Sequence, residues 1–298
     1  AQDARSLLKN ADAAMYRSKK AAPAGYVVYS SEASDPLGKL SMTTRLRKAV
    51  ESQHWVLHYQ PLVALETAEM SGVEALIRWQ DPNGGIIPPG DFIPLAEEMG
   101  LIVAIGDWVM EEICRQSKAW REEGLDTKIS FNLSPRQLWQ PEMVEKVLSH
   151  LASADVDPGQ VVVEITESSA MTDPERTQRI LWDLHARGVR LAIDDFGTGY
   201  SSLSRLKHMP VHTLKIDRSF VMDLPDDLDA GNMVAAIIQL AHSLGMSPLA
   251  EGIETQEQWD FLVAKGCQLG QGYYFSRPIP AGEILERFKT IGLNFTPT

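Results

Sequence analysis

A chain of 298 residues with 44% hydrophobic and 23% charged residues can bury a sizeable core, and that balance excludes a disordered or membrane-embedded chain. Its net charge of −12 excludes a broad basic footprint for duplex nucleic acid, so a polyanionic ligand would need a few local arginines and lysines or bound cations. Two widely separated cysteines, Cys114 and Cys267, lack CxxC spacing and read as reduced core thiols in a cytoplasmic setting, with a single disulfide left open.

In chain order, a helical pattern from Ala4 to Lys20, a Pro-Gly break and a short strand from Tyr26 to Tyr29 come first. One helix and one strand cannot bury a core, so residues 1–32 read as the last piece of a preceding domain, 33–40 as a linker and 41–298 as the main domain. No apolar run approaches the roughly 20 residues of a membrane span and no signal peptide opens the chain, so no membrane contact is expected of this fragment.

From Leu40 onward, strands are expected near Trp55 to Val63, Met70 to Trp79, Lys128 to Leu133, Val161 to Ile165, Arg190 to Asp194, His212 to Ile216, Ser247 to Ala250 and Gln268 to Gln271. Helices are expected at Asp91 to Glu123, Pro135 to Ala152, Pro174 to Arg187, Asp229 to Leu244 and Thr255 to Ala264. This alternation predicts an α/β fold, a (β/α)8 TIM-like barrel. Only "ALETAE" separates the first two strands, too little for a parallel crossover, so the first strand should run antiparallel to the second.

Strand alternation then sorts side chains. It turns Glu74, Leu76 and Arg78 to one face of the second strand, and points Asn132, Glu164, Asp194, Lys215 and Asp217 toward the barrel interior. In "RLAIDDFGTGYSSL", Asp195 is read as the first residue past its strand. Glu251 and Gln271 sit where strands give way to glycine-containing loops. Taken singly, each acid is more often a helix cap or a solvated charge, and Lys215 could simply pair with Asp217. His54 and His58 show no metal-ligand spacing and read as barrel or rim residues. Together the acids fall at the strand C-terminal ends, where such barrels build active sites. Carboxylates plus one Asn carbonyl suit Mg²⁺ or Mn²⁺, and a pair of such ions is a recurrent device for phosphodiester hydrolysis.

The segments "VEALIRW", "FNLS", "EITE", "DDFGTGYSSL", "LKIDRSFV", "AEGIET" and "QGYYFSRP", in that order from about Leu40 to Phe288, resemble the EAL domain, the phosphodiesterase family acting on cyclic di-GMP. The resemblance implies two ions, one held by Glu74, Asn132, Glu164 and Asp194, the other by Asp194, Asp195 and Glu251. It implies that Lys215 and Gln271, with Glu251, serve catalysis at the attacking water. Gln60, Leu76 and Arg78 would contact substrate, the segment around Pro94 would help seat a guanine, and Glu167, Asp217 and Glu254 would support the loops. The expected product is linear pGpG.

The first residues, "LLKNADAAMYRSKKAAPAGYVVYS", are similar to the end of a GGDEF diguanylate cyclase domain, which implies a longer tandem parent. A homodimer is likewise implied by the family. Three other readings stand beside the enzyme: a cyclic di-GMP receptor that does not cut, a module gated by the 195–202 loop, and a metal-dependent barrel hydrolase of another phosphate ester.

Overall fold

The computed structural model describes residues 36–82, 84–199 and 203–291; the expected helix and strand within residues 1–32 lie outside the described residues. The chain divides into two compact units, Ala1–Ser52 and Gln53–Thr298. In the first, helix α1 (Pro36–Ser52) begins inside the segment expected as a linker.

The second unit is built on strands β1 (Trp55–Ala64) and β2 (Glu69–Gln80), the short β3 (Ile86–Ile87), β4 (Ile129–Asn132), β5 (Val161–Thr166), β6 (Arg190–Phe196), β7 (Thr213–Ile216), β8 (Ser247–Ala250), β9 (Leu269–Gly270) and the short β10 (Ile279–Pro280). The strand order β1-β9-β8-β7-β6-β5-β4-β2, with β2 pairing back to β1, closes an eight-stranded barrel. β3 and β10 extend β2 and β1 as antiparallel pieces. All closing pairs are parallel except those of β1, which runs antiparallel to both β2 and β9. The short 65–68 connection explains this: Ala68, at φ 59°, donates its N–H to the Ala64 carbonyl at 2.8 Å and turns the chain straight back.

Two expected helices are each interrupted. Asp91 to Glu123 is α2 (Pro89–Met99) and α3 (Ile102–Glu122), parted at Gly100, whose φ of 74° ends the first helix in the left-handed region. Pro135 to Ala152 is α4 (Pro135–Leu138) and α5 (Met143–Ser153). The break falls at Pro141, which cannot donate to a preceding turn, and at Glu142, whose φ is 62°. The remaining helices are α6 (Glu167–Thr172), α7 (Pro174–Ala186), α8 (Leu203–Leu206), α9 (Arg218–Val221), α10 (Leu228–Ser243), α11 (Gln256–Ala264) and α12 (Ala281–Ile291).

Alternation places the core as expected. Val73 and Ala75, Ile129 and Phe131, Val161, Val163 and Ile165, Leu191 and Ile193, and Leu214 and Ile216 are all buried. The opposite face carries the polar residues Glu74, Glu164, Asp194 and Lys215, and these collect at one end.

Candidate active site

Lys215, on β7, is the centre of that end. Its ammonium group is buried and lies 2.5 Å from Glu164, 2.8 Å from Glu251, 3.1 Å from Asp194 and 3.5 Å from Glu74. The Lys215–Asp217 pair weighed from the sequence does not form. Asp217 instead accepts the Ser219 N–H at 3.0 Å and caps α9. Four carboxylates from β5, β6, β2 and the end of β8 thus share one buried cation.

Burial drives Glu164, Glu251 and Asp195 toward their neutral forms. It pushes Glu164 up to about 8, with Lys215 opposing and Glu74 and Asp194 reinforcing the rise. Glu251 is likewise pushed up to about 8 by burial, against the pull of Lys215. Asp195 rises to about 6 through burial and then its neighbours Asp194 and Asp217. Lys215 itself is held well above its usual range, because Glu164, Glu251, Glu74 and Asp194 outweigh its own desolvation. One ammonium is too little positive charge for this many acids.

The adjacent aspartates have a structural cause. The β6–β7 register pairs Ile193 with Leu214 but Phe196 with Ile216, so Asp194 and Asp195 together oppose Lys215 alone. This is a bulge inside β6, which corrects the expectation that Asp195 lies beyond the strand. Asp195 takes φ 54°, a left-handed conformation that Asp tolerates better than most residues. Alternation breaks at that point, and side chains that would point to opposite faces are both free to reach the mouth. Oxygens of Asp194, Asp195 and Glu251 come within 4.8 Å of one another.

Glu74 is fixed from both sides: the Asn132 amide donates to one oxygen at 2.8 Å, and Gln271 donates to the other at 2.7 Å. Gln271 also donates to the Gln60 side-chain oxygen at 2.8 Å, while Gln60 donates to the Ser276 carbonyl at 2.9 Å. The Asn132 and Gln271 amide oxygens are left for other partners. That of Gln271 is buried and has no hydrogen bond among the described residues. Glu167, buried at the start of α6, accepts the Gly197 N–H at 2.8 Å and the Gly199 N–H at 3.4 Å. It thereby ties the beginning of the loop to the β5 end; Tyr200, Ser201 and Ser202 lie outside the described residues.

Gln60, Glu74, Leu76, Asp194, Glu251, Glu254 and Gln271 line a cleft of about 270 Å³ over this cluster. Pro94 lines a neighbouring apolar cavity of about 370 Å³, which shares Leu76 with the cleft and reaches Asn132. Arg78 lines neither; its guanidinium donates to the Ile77 carbonyl at 3.0 Å. Sequence reasoning missed Gly252 and Gly272 on the cleft wall, and two residues that bring side chains to it, Arg218 and Tyr273. Both stand inside quoted motifs, "LKIDRSFV" and "QGYYFSRP", but just past the strand ends, where alternation gives no direction.

Fold and site together define a TIM-like α/β barrel with a buried, all-oxygen acidic cluster at the C-terminal ends of its strands. A family model described as the EAL domain matches residues 43–278. The chain belongs to the EAL domain family. It is 44% identical over 286 residues, 95% of this chain and 42% of the relative, to the bifunctional diguanylate cyclase/cyclic di-GMP phosphodiesterase MucR of Pseudomonas aeruginosa. It is 36% identical over 280 residues, 94% of this chain and 42% of the relative, to the cyclic di-GMP phosphodiesterase PdeR of Escherichia coli. A solved structure described as "PaMucR Phosphodiesterase, c-di-GMP complex" superimposes with a TM-score of 0.79 at 45% identity, covering 82% of this chain and 99% of that one. The chain spans about two fifths of the length of these curated relatives.

Proposed function

We propose that this chain is a metal-dependent phosphodiesterase that hydrolyses cyclic di-GMP to linear pGpG. The observation that carries the reading is the convergence of Asp194, Asp195 and Glu251 oxygens within 4.8 Å beside Lys215, in a barrel whose relatives are named for this activity. The residues fit the implied cations. The donors are all oxygen, Glu74, Glu164 and Asp194 are buried while Asp195 and Glu251 are part-buried and Asn132 is exposed, and burial pushes Glu164, Glu251 and Asp195 toward their neutral forms. Glu74, Asn132, Glu164 and Asp194 would hold one Mg²⁺ or Mn²⁺, and Asp194, Asp195 and Glu251 a second. Bound there, the ions would supply charge neutralisation and nucleophile activation for in-line displacement at phosphorus.

The chain's own groups do the rest. Lys215, 2.8 Å from Glu251, would orient the attacking water and restrain the charge that develops on the phosphoryl oxygens. The Gln271 oxygen, without a hydrogen bond among the described residues, would offer that water an acceptor, while Gln271's amide nitrogen holds Glu74 in place. Glu167 fixes the beginning of the loop that follows Asp195, Asp217 caps the turn after β7, and Glu254 accepts from the Arg218 guanidinium at the loop after β8. Leu76 and Gln60 would contact the ligand, the apolar cavity at Pro94 would receive a guanine, and Arg78 would need to swing from the Ile77 carbonyl to reach a phosphate.

Incubation with cyclic di-GMP and Mg²⁺ or Mn²⁺, with products separated by chromatography, should yield pGpG and lose it on chelation. Binding without any product would instead support the receptor reading. We further take the first 32 residues as the end of a GGDEF domain, in keeping with the bifunctional name of the MucR relative, and the barrel as a cytoplasmic homodimer. Among the described residues no helix is long and apolar enough to cross a membrane.

A pH-dependent effect of cation on stability is expected. Glu164, Glu251 and Asp195 have folded-state pKa values above those of an unfolded chain, so between about pH 4.5 and 8 the folded protein binds more protons. Their contribution is fully present below that window and is lost as pH rises through it; Lys215 is charged throughout and adds no slope there. In chelator the melting temperature should therefore fall from about pH 5 to 8. Mg²⁺ or Mn²⁺ should raise it more at pH 8 than at pH 5.5, and an equal rise at both values would count against a cation among these acids.

A further inference from the structure

The cleft over the acidic cluster presents Glu74, Asp194, Glu251 and Glu254 to any ligand. Among the described residues, Arg218 is the one lysine or arginine on its wall. Lys215 lies buried beneath, taken up by four carboxylates, and Arg78 is turned to a backbone carbonyl outside the cleft. A cyclic dinucleotide brings two phosphodiesters. One sits at the reacting centre, and the other meets a wall with a single cation.

Arg218 is built to reach that position. It leaves the end of β7 and crosses to the loop after β8, where its aliphatic stem lies over Gly252. A Cβ on Gly252 would come within 2.3 Å of Arg218 Cγ, and the residue's φ of +73° is a conformation that L side chains resist. The guanidinium then donates through Nη2 to Glu254 at 2.8 Å, its one polar contact among the described residues. One bond occupies one of five N–H donors, and the pair is half exposed, where ion pairs contribute little. Glu254 therefore aims the arginine without committing it, and a phosphate, which accepts the same planar fork, can take its place at small cost.

We propose that Arg218 is a substrate-binding residue that holds the phosphodiester not being cut, with Glu254 parking its guanidinium at the rim of the empty cleft. This rests on the reading of cyclic di-GMP as substrate. The test compares wild type, Arg218→Ala and Arg218→Lys on cyclic di-GMP and on bis(p-nitrophenyl) phosphate, which has one diester and no second phosphate. For Arg218→Ala, KM for cyclic di-GMP should rise about 10- to 30-fold with kcat within about threefold, a loss typical of one charge-assisted contact. Arg218→Lys should recover part of it, and turnover of the single diester should stay within about twofold. If wild type binds cyclic di-GMP without cutting it, Kd takes the place of KM with the same expectation. An unchanged KM or Kd, or equal losses on both substrates, would overturn this assignment alone. A wild-type protein that neither binds nor cuts cyclic di-GMP overturns the functional reading itself, and this inference with it.

Discussion

Replacing Asp194 by Ala is expected to lower hydrolysis of cyclic di-GMP by at least about 10³-fold, the scale lost when a group central to transition-state charge stabilisation is removed. Asp194 carries this weight because it is shared. One of its oxygens lies 3.1 Å from Lys215, the Asp195 N–H donates to that same oxygen at 3.0 Å, and it belongs to the carboxylate group with Asp195 and Glu251. Stability should move the other way. Removing one of several like charges relieves repulsion, so in chelator near pH 8 the variant should melt no lower than wild type. Glu74→Ala should be equally inactive, since it too contacts Lys215 and is clamped by Asn132 and Gln271. Near-normal turnover by either variant would sink the proposed ligand set.

Lys215→Met should lose both activity and stability. The ammonium is fully withdrawn from water and neutralises part of the charge of Glu74, Glu164, Asp194 and Glu251. Removing one partner from a buried ionic cluster costs about 3–5 kcal/mol, because the other charges stay buried and uncompensated. The loss should be largest near pH 8 in chelator and smaller near pH 5, where Glu164 and Glu251 can take protons instead. Divalent cation should restore part of the melting temperature but not the turnover, separating the lysine's electrostatic role from its chemical one. A variant that melts within a degree or two of wild type at pH 8 without cation would show that Lys215 does not balance this cluster.

The two cases show how far alternation can be trusted. It placed Glu74, Glu164, Asp194 and Lys215 on one side of four different strands, and the structure brings them together around a single ammonium. The strand end was set too early, before Asp195, because a bulge adds a residue to one strand of a pair and no local pattern shows which strand yields. Alternation was silent for Arg218 and Tyr273, which lie beyond the strand ends. It also assigned Arg78 correctly to a strand while leaving open where its long, flexible stem would take the guanidinium.

The sequence by itself determined the barrel, the antiparallel first strand and the motifs that mark the family, since strand and helix periods, a six-residue connection and residue order are all properties of the chain read locally. Only the tertiary structure decided the partners of each charge. It gave Lys215 four carboxylates and not Asp217, gave Glu167 the loop glycines, and laid Arg218 across Gly252. Burial and Coulomb energies depend on distances between strands far apart in sequence, and those distances exist only once the barrel has closed.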